Sequence, residues 1–172
     1  MTGILNFSLN SLKHNIMMHT WFECKVRSEK VDTNGKRKVT EAYLFDALSF
    51  TEAEARTIEE ITPFVSGEFT VTNIKREGYS EVFLYPDGGD YFFKARIAFV
   101  TLDDKSGKEK KTFTSVLVQA SDLQQAKDRI VEQMKGTLAD YEIDRVAKTD
   151  IVEVYPYGDG ESKKVFENIN KE

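Results

Sequence analysis

An amphipathic pattern that occurs twice at a fixed spacing constrains the fold of this 172-residue chain more than any other feature. The first copy runs from Ser49 to Ile61 and the second from Asp122 to Met134. In both copies the apolar residues recur at the spacing of one helix face. The two copies align residue for residue at one constant offset, so two equivalent helices in a duplicated chain are predicted. The aligned positions are Phe50, Ala53, Thr57, Ile58 and Ile61 in the first copy and Leu123, Ala126, Ile130, Val131 and Met134 in the second.

A capping signal stands at the start of each predicted helix. Ser49 is followed three residues later by Glu52, and Asp122 is followed three residues later by Gln125. In such a pair the first side chain accepts a hydrogen bond from an amide of the first turn, and the second side chain reaches back to an earlier amide. Both helices are therefore expected to begin at these residues.

Alternating segments predict two strands before each helix and two after it. Residues from Trp21 to Arg27 alternate as in a half-buried strand, and Asn34-Gly35 is typical of a tight hairpin turn. The segment from Phe92 to Ile97 matches the first strand, with Phe92 aligned to Trp21. The predicted fold class is α+β, with an internal duplication of a strand-strand-helix-strand-strand (ββαββ) unit. We expect antiparallel sheets, each covered by one helix.

Turn-forming residues set the expected domain boundaries. Residues 86–90 read Pro-Asp-Gly-Gly-Asp and form the clearest linker in the chain. We expect repeat 1 at residues 18–86, a linker at 87–90 and repeat 2 at 91–157. Residues 1–17 are interpreted as an N-terminal leader or extension that packs peripherally, and residues 158–172 as a loosely held C-terminal tail.

Composition narrows the class of protein. The net charge of −5 and the isoelectric point near 5.2 disfavour a generally polyanion-seeking surface, although local basic patches remain possible. Cys24 is the only cysteine, which excludes an internal disulfide and a thiolate metal cluster within one chain. The sequence has no apolar run of about 18 residues and no signal-peptide pattern. We therefore expect a cytoplasmic protein with no membrane partner.

The sequence shows no recognisable catalytic set. Its only histidines are His14 and His19, both at the N-terminal end, so no triad with a nucleophile is evident. Neither a phosphate loop nor a dinucleotide-binding fingerprint is present. We expect no catalytic residue, no metal site and no cofactor. An enzyme that acts through carboxylates is the least favoured hypothesis.

Aromatic and basic residues on the equivalent first strands and their hairpins form the most informative constellation. Stacking rings flanked by cations are what single-stranded DNA or RNA binding requires. The alternative is a protein-protein interaction or assembly module that dimerises or docks through its sheet face, with the same rings buried at that contact. The nucleic-acid-binding candidates are Trp21, Lys25, Arg27, Lys36, Arg37, Lys38, Phe92, Lys94, Arg96, Lys108, Lys110 and Lys111.

Three segments carry a resemblance to a known family. The runs from Met18 to Val26, from Asp46 to Ala55 and from Leu117 to Leu123 resemble the bacterial family called domain of unknown function 4494, which is also met in phage and mobile-element settings. The resemblance covers roughly residues 18–157 and implies no established activity and no catalytic residue. A phage or mobile-element setting favours nucleic-acid handling by association only.

Overall fold

The computed structural model describes residues 20–156, so the expected leader at 1–17 and the expected tail at 158–172 lie outside the described residues. The described part is a mixed α+β structure with two four-stranded sheets and two helices. The strands are β1 (Thr20–Asp32), β2 (Gly35–Ala47), β3 (Phe69–Glu77), β4 (Tyr79–Phe83), β5 (Tyr91–Leu102), β6 (Glu109–Ala120), β7 (Asp140–Lys148) and β8 (Ile151–Tyr155). The helices are α1 (Phe50–Ile61) and α2 (Leu123–Gln133), and a 3-10 turn, Thr62–Phe64, follows α1.

Each sheet takes its fourth strand from the other repeat. The strand orders are β3-β1-β2-β8 and β4-β6-β5-β7, and the exchanged strands β8 and β4 pair parallel to β2 and β6. The expectation of antiparallel sheets is therefore wrong for one strand of each sheet. The connection between β3 and β4 gives a physical reason. Only Gly78 separates these two strands, whereas a hairpin needs a loop of at least two residues, so β4 does not fold back beside β3.

Because of this exchange, the compact units do not coincide with the repeats. Within the described residues, one unit is the continuous segment Tyr79–Thr149. The other joins residues 20–78 to residues 150–156. Each unit contains one helix and one sheet with three antiparallel strands and one parallel strand. The order strand-strand-helix-strand is common to both units, but the parallel strand comes last in one unit and first in the other.

The alternation predicted for the first strands is confirmed by the position of the core. In β1, Phe22, Cys24 and Val26 face the helix and are almost fully buried, and Phe93 and Ala95 take the same positions in β5. We call this the helix side of each sheet and the opposite one the outer side. The other buried members on the helix side are Tyr43, Phe45, Ala47, Ala53 and Ile61 in one unit and Ile97, Val116, Val118, Ala120, Ala126, Ile130 and Met134 in the other.

Both helices begin where the capping signals predict. The Ser49 hydroxyl accepts a hydrogen bond from the amide of Glu52 at 3.1 Å, and the Asp122 carboxylate accepts one from the amide of Gln125 at 2.8 Å. The Glu52 carboxylate in turn accepts from the amide of Leu48 at 2.9 Å, and the Gln125 side chain makes the matching bond one residue before Asp122. These bonds satisfy amides that have no partner inside the helix.

An arginine at the same position of each helix holds the carboxyl ends of two parallel strands. Arg56 in α1 donates to the carbonyl oxygen of Asp46 in β2 and, at 3.0 Å, to that of Pro156 directly after β8. Arg129 is the aligned residue of α2 and donates to the carbonyl oxygen of Gln119 in β6 at 2.7 Å. Arg129 also donates to the carbonyl oxygen of Gly88 at 2.6 Å and to both carboxylate oxygens of Asp87 at 3.0 Å. We call these two side chains the arginine clamps.

The clamp at Arg129 is expected to contribute strongly to folding. Replacing Arg129 by Ala should lower the free energy of unfolding by about 2–3 kcal/mol, because several hydrogen bonds of a charged donor are lost. Arg129→Lys should recover only part of the loss, since an ammonium group lacks the planar fork. Urea denaturation checks this, with the exposed Lys127→Ala on the same helix as the control. Equal stabilities of Arg129→Ala and Lys127→Ala would contradict the role assigned to the clamp.

The exchange of strands should hold the two halves of the chain together after the linker between them is cut. If a protease site flanked by glycine and serine is inserted between Asp90 and Tyr91, the cleaved protein should remain one species under native conditions. The reason is that β4 and β8 each pair with a strand from the other fragment. Size-exclusion chromatography of the cut protein, with and without urea, provides the measurement. Val154→Asp, which places a charge at a position of β8 that is only 6% exposed, should weaken the association. Separation of the unmutated fragments without denaturant would contradict the exchange.

The buried, stacked ring of Tyr155 is expected to make the protein less stable at high pH. It stacks on Phe45 with ring centroids 4.7 Å apart, and burial, with Glu153 and Glu60 nearby, raises the pKa of Tyr155 from its ordinary value of 10.0 to about 12. Because the pKa of Tyr155 is higher in the folded state than in the unfolded state, the neutral side chain stabilises the fold, and this contribution is fully present below pH 10. The contribution is lost as the pH rises from 10 towards 12. The stability of Tyr155→Phe in urea should therefore fall less between pH 9 and pH 12 than that of the unmutated protein. Equal falls would contradict the prediction.

Candidate nucleic-acid interface

The two aromatic residues of the predicted interface are buried. Trp21 and Phe92 lie on the outer sides of β1 and β5, as the alternation predicts, but they are only 4% and 3% exposed. Leu44 and Leu117, also on the outer sides, are fully buried. A base cannot stack on a ring that is closed to solvent. The exposed aromatic platform expected from the sequence is therefore not formed by Trp21 and Phe92, and this part of the expectation is corrected.

The basic candidates of the first repeat lie on a hairpin extension that we call the first arm, residues 25–41 of β1, β2 and their turn. The pairing of β1 with β2 continues without a shift from Trp21 to Asp32. Side chains therefore alternate between the helix side and the outer side along the whole arm. Four exposed cations share its outer side, and we call them the basic stripe: Lys25, Arg27, Lys36 and Lys38.

Ion pairs neutralise the opposite side of the first arm. On the helix side, Lys30 lies 2.6 Å from the carboxylate of Glu41, and Arg37 lies 3.2 Å from that of Asp32. The candidate Arg37 is therefore separated from the basic stripe and paired.

One carboxylate, that of Glu29, lies on the same side as the basic stripe, opposite Lys38 in the strand register. Lys36 lies 3.8 Å from the carboxylate of Glu29. Within the described residues, Lys25, Arg27 and Lys38 form no ion pair. Glu23, the next outer residue towards the buried end of β1, lies opposite Lys75 of β3. The alternation of a two-stranded hairpin thus leaves unneutralised cations on one side only.

The equivalent extension of β5 and β6, which we call the second arm, covers residues 96–114 and has a different charge arrangement. Arg96 lies over the ring of Phe113, 3.7 Å from its centroid, and 3.4 Å from the carboxylate of Asp144. Lys111 lies 2.6 Å from the carboxylate of Glu142, which raises the pKa of Lys111 above its ordinary value. The outer cations that the sequence equates with those of the first arm are therefore paired with acids of β7.

The remaining candidates of the second repeat do not join one patch. Lys94 lies over the ring of Tyr79, 5.2 Å from its centroid. Lys110 pairs with Thr101 and lies on the helix side of the arm, and Lys108 lies in the turn beyond β5. The structure therefore brings together the outer cations of the first arm and distributes those of the second.

The sequence predicted strands at β3 and β7 but not their pairing with β1 and β5, and the side chains of these two edge strands decide this difference. Thr70 of β3 lies opposite Arg27, and Glu142 of β7 lies opposite Ala98, the β5 equivalent of Arg27. Thr72 and Asp144 are each the extra residue of a β-bulge at matching positions. In the sequence, the only sign of this difference in charge lay in a comparison of the two repeats. An alignment that sets β3 against β7 would have shown two threonines in one repeat and two acids in the other.

No metal-binding cluster is found between residues 20 and 156. No three histidine, cysteine, aspartate or glutamate side chains in that range lie close enough together to hold an ion. Helices α1 and α2, the two in the same range, are both too short to cross a membrane.

The structure is that of a duplicated α+β protein with exchanged strands, in which three of the four cations of the basic stripe form no ion pair within the described residues. Comparison with protein families assigns the chain more closely. The model of the family described as Domain of unknown function (DUF4494) matches residues 20–157, so the chain belongs to this family. The family resemblance predicted from the sequence is thereby confirmed. No curated protein and no solved structure matches the chain.

Proposed function

We propose that this protein is a cytoplasmic, non-enzymatic accessory protein that binds single-stranded nucleic acid through its phosphates. The observation that carries the proposal is the basic stripe, in which four exposed cations share one side of the first arm and only Lys36 forms an ion pair, with Glu29. Phosphate contacts supply most of the affinity of proteins that bind nucleic acid without reading sequence. The binding is therefore expected to depend strongly on salt and weakly on sequence.

The geometry of the stripe favours an extended single strand. Residues on one side of a β-strand recur about every 6.6–6.8 Å, and neighbouring strands lie about 4.8 Å apart. Lys25 and Arg27 on β1 are followed along the arm by Lys38 and Lys36 on β2, which lie opposite Glu29 and Val31, so the cations form two short rows placed one after the other. A flexible single strand can bend its phosphates towards such rows, as in proteins whose basic surface follows the backbone.

The acidic net charge is compatible with this local site. Field strength depends on where charges lie, and the exposed side of α1 carries a separate group of acids. Those acids are Glu52, Glu54, Glu59 and Glu60. The setting in phages or mobile elements that the family resemblance implies would fit such an accessory role.

A protein-interaction module is the second candidate, and exposed apolar residues on both helices favour it. Phe50 and Ile58 of α1 are 49% and 47% exposed, and their equivalents Leu123 and Val131 of α2 are 50% and 45% exposed. These four residues belong to the repeated helical pattern, yet they are not fully buried. On the sheet face Trp21 is buried within the chain, so the helices are a better location for a docking partner than the sheet face.

The nucleic-acid proposal is tested by salt-dependent binding of a fluorescently labelled deoxythymidine oligonucleotide and a matched RNA. Four cations on four phosphates give an expected slope of about −3 in a plot of log affinity against log salt concentration. The variant Lys25→Glu/Arg27→Glu/Lys38→Glu should lose at least about tenfold in affinity at low salt, because attraction is replaced by repulsion.

The matched control carries the same charge change away from the stripe, as Lys105→Glu/Lys110→Glu/Lys127→Glu. It should keep most of the affinity and the same oligonucleotide preference. Absence of binding at low salt, or equal losses for the two triple variants, would rule out the stripe as the binding site. Thermal unfolding of each variant shows whether a loss reflects folding.

A further inference from the structure

We infer that the edge strands β3 and β7 decide which arm binds a polyanion, and that the second arm is a latent phosphate-binding site held neutral by Glu142 and Asp144. The inference rests on the proposed function and names the residues that determine where nucleic acid binds. It follows from comparing equivalent positions of the two repeats, because each repeat serves as a control for the other.

The positions compared are structurally equivalent. Each edge strand pairs antiparallel with the first strand of its sheet and carries one β-bulge at the same place, directly after Lys25 in β1 and after the aligned Arg96 in β5. Thr72 and Asp144 are the bulge residues, and Thr70 and Glu142 stand two residues before them. The substitution of two hydroxyls by two carboxylates is therefore a difference of charge at a shared geometry.

In the second arm these carboxylates reach the cations. Glu142 is 2.6 Å from the ammonium group of Lys111, and Asp144 is 3.4 Å from the guanidinium group of Arg96. Arg145 lies opposite Arg96 and makes no ion pair within the described residues. A phosphate would have to displace an acid that the fold already holds beside the cation. Without those negative charges, Arg96, Lys111 and Arg145 would be three exposed cations on one side of the sheet.

In the first arm the same positions leave the cations available. The Thr72 hydroxyl donates a hydrogen bond to the backbone carbonyl oxygen of Lys25 at 3.2 Å. This bond does not involve the ammonium group of Lys25. Thr70 faces Arg27 with a neutral side chain. Neutral edge residues thus leave the basic stripe to a polyanion, and acidic edge residues neutralise its counterpart.

The first experiment asks whether the latent site can be opened. In the full chain, Glu142→Gln/Asp144→Asn is added to the variant Lys25→Glu/Arg27→Glu/Lys38→Glu, and binding of the labelled deoxythymidine oligonucleotide is measured at low salt. At least tenfold recovery of affinity over the triple variant is expected. The control Asp128→Asn/Glu132→Gln on α2 makes the same charge change in the same background and should recover less than threefold. Equal recoveries would overturn the inference.

The reciprocal experiment closes the first arm. Thr70→Glu/Thr72→Asp should lower the affinity of the otherwise unmutated chain about tenfold, whereas the neutral Thr70→Gln/Thr72→Asn should retain it. If the unmutated chain binds and both double variants bind equally well, the edge strands do not determine the site and the inference fails alone. If the unmutated chain does not bind any oligonucleotide, the proposed function fails, and binding gained by Glu142→Gln/Asp144→Asn alone would still support the latent site.

Discussion

The arginine clamps are the interaction on which the rest of the structure depends. Each sheet contains a short parallel strand that enters from the other repeat, and a strand this short at a sheet edge has few backbone bonds of its own. Arg56 and Arg129 connect the end of the exchanged segment to the end of the strand beside it and to the helix above. A guanidinium group suits this task because its planar array of donors can bond two carbonyl oxygens at once. The arms extend from the opposite ends of the same sheets.

Local signals in the sequence predicted the helices and the first strands well. The cap pairs at Ser49 and Asp122 fix helix starts through bonds between residues close in sequence, and the alternation from Trp21 to Arg27 depends on the same short range. The exchange of β4 and β8 could not be predicted in that way, because pairing within a repeat and pairing between repeats bury the same apolar residues. The single residue Gly78 between β3 and β4 was the available sign of it. For a related reason the sequence left two alternatives for Trp21, an exposed ring or a buried one, since alternation gives the side of a strand and not what covers it.

The charges show how far duplicated positions can diverge while the backbone stays the same. The sequence equates the basic residues of the two hairpins, but it does not show which acids lie across from them. Lys111 and Arg96 meet their acids through β7, which lies beyond α2 in the chain, so the pairing is visible only once the strand register is known. In the first arm the corresponding strand offers hydroxyls instead. Prediction from sequence therefore found the cations and could not find their neutralisation.

Because of the exchanged strands, the sheets of the two units are also completed at different times during synthesis. The unit Tyr79–Thr149 is one continuous stretch of chain, so all of its strands are available once Lys148 has left the ribosome. The other unit begins earlier in the chain but lacks its fourth strand until Ile151–Tyr155 has been made. While the unit Tyr79–Thr149 completes its sheet, β2 therefore still has one unpaired edge, because β8 has not yet been synthesised. The part of the protein that is translated first is thus the part whose sheet is finished last.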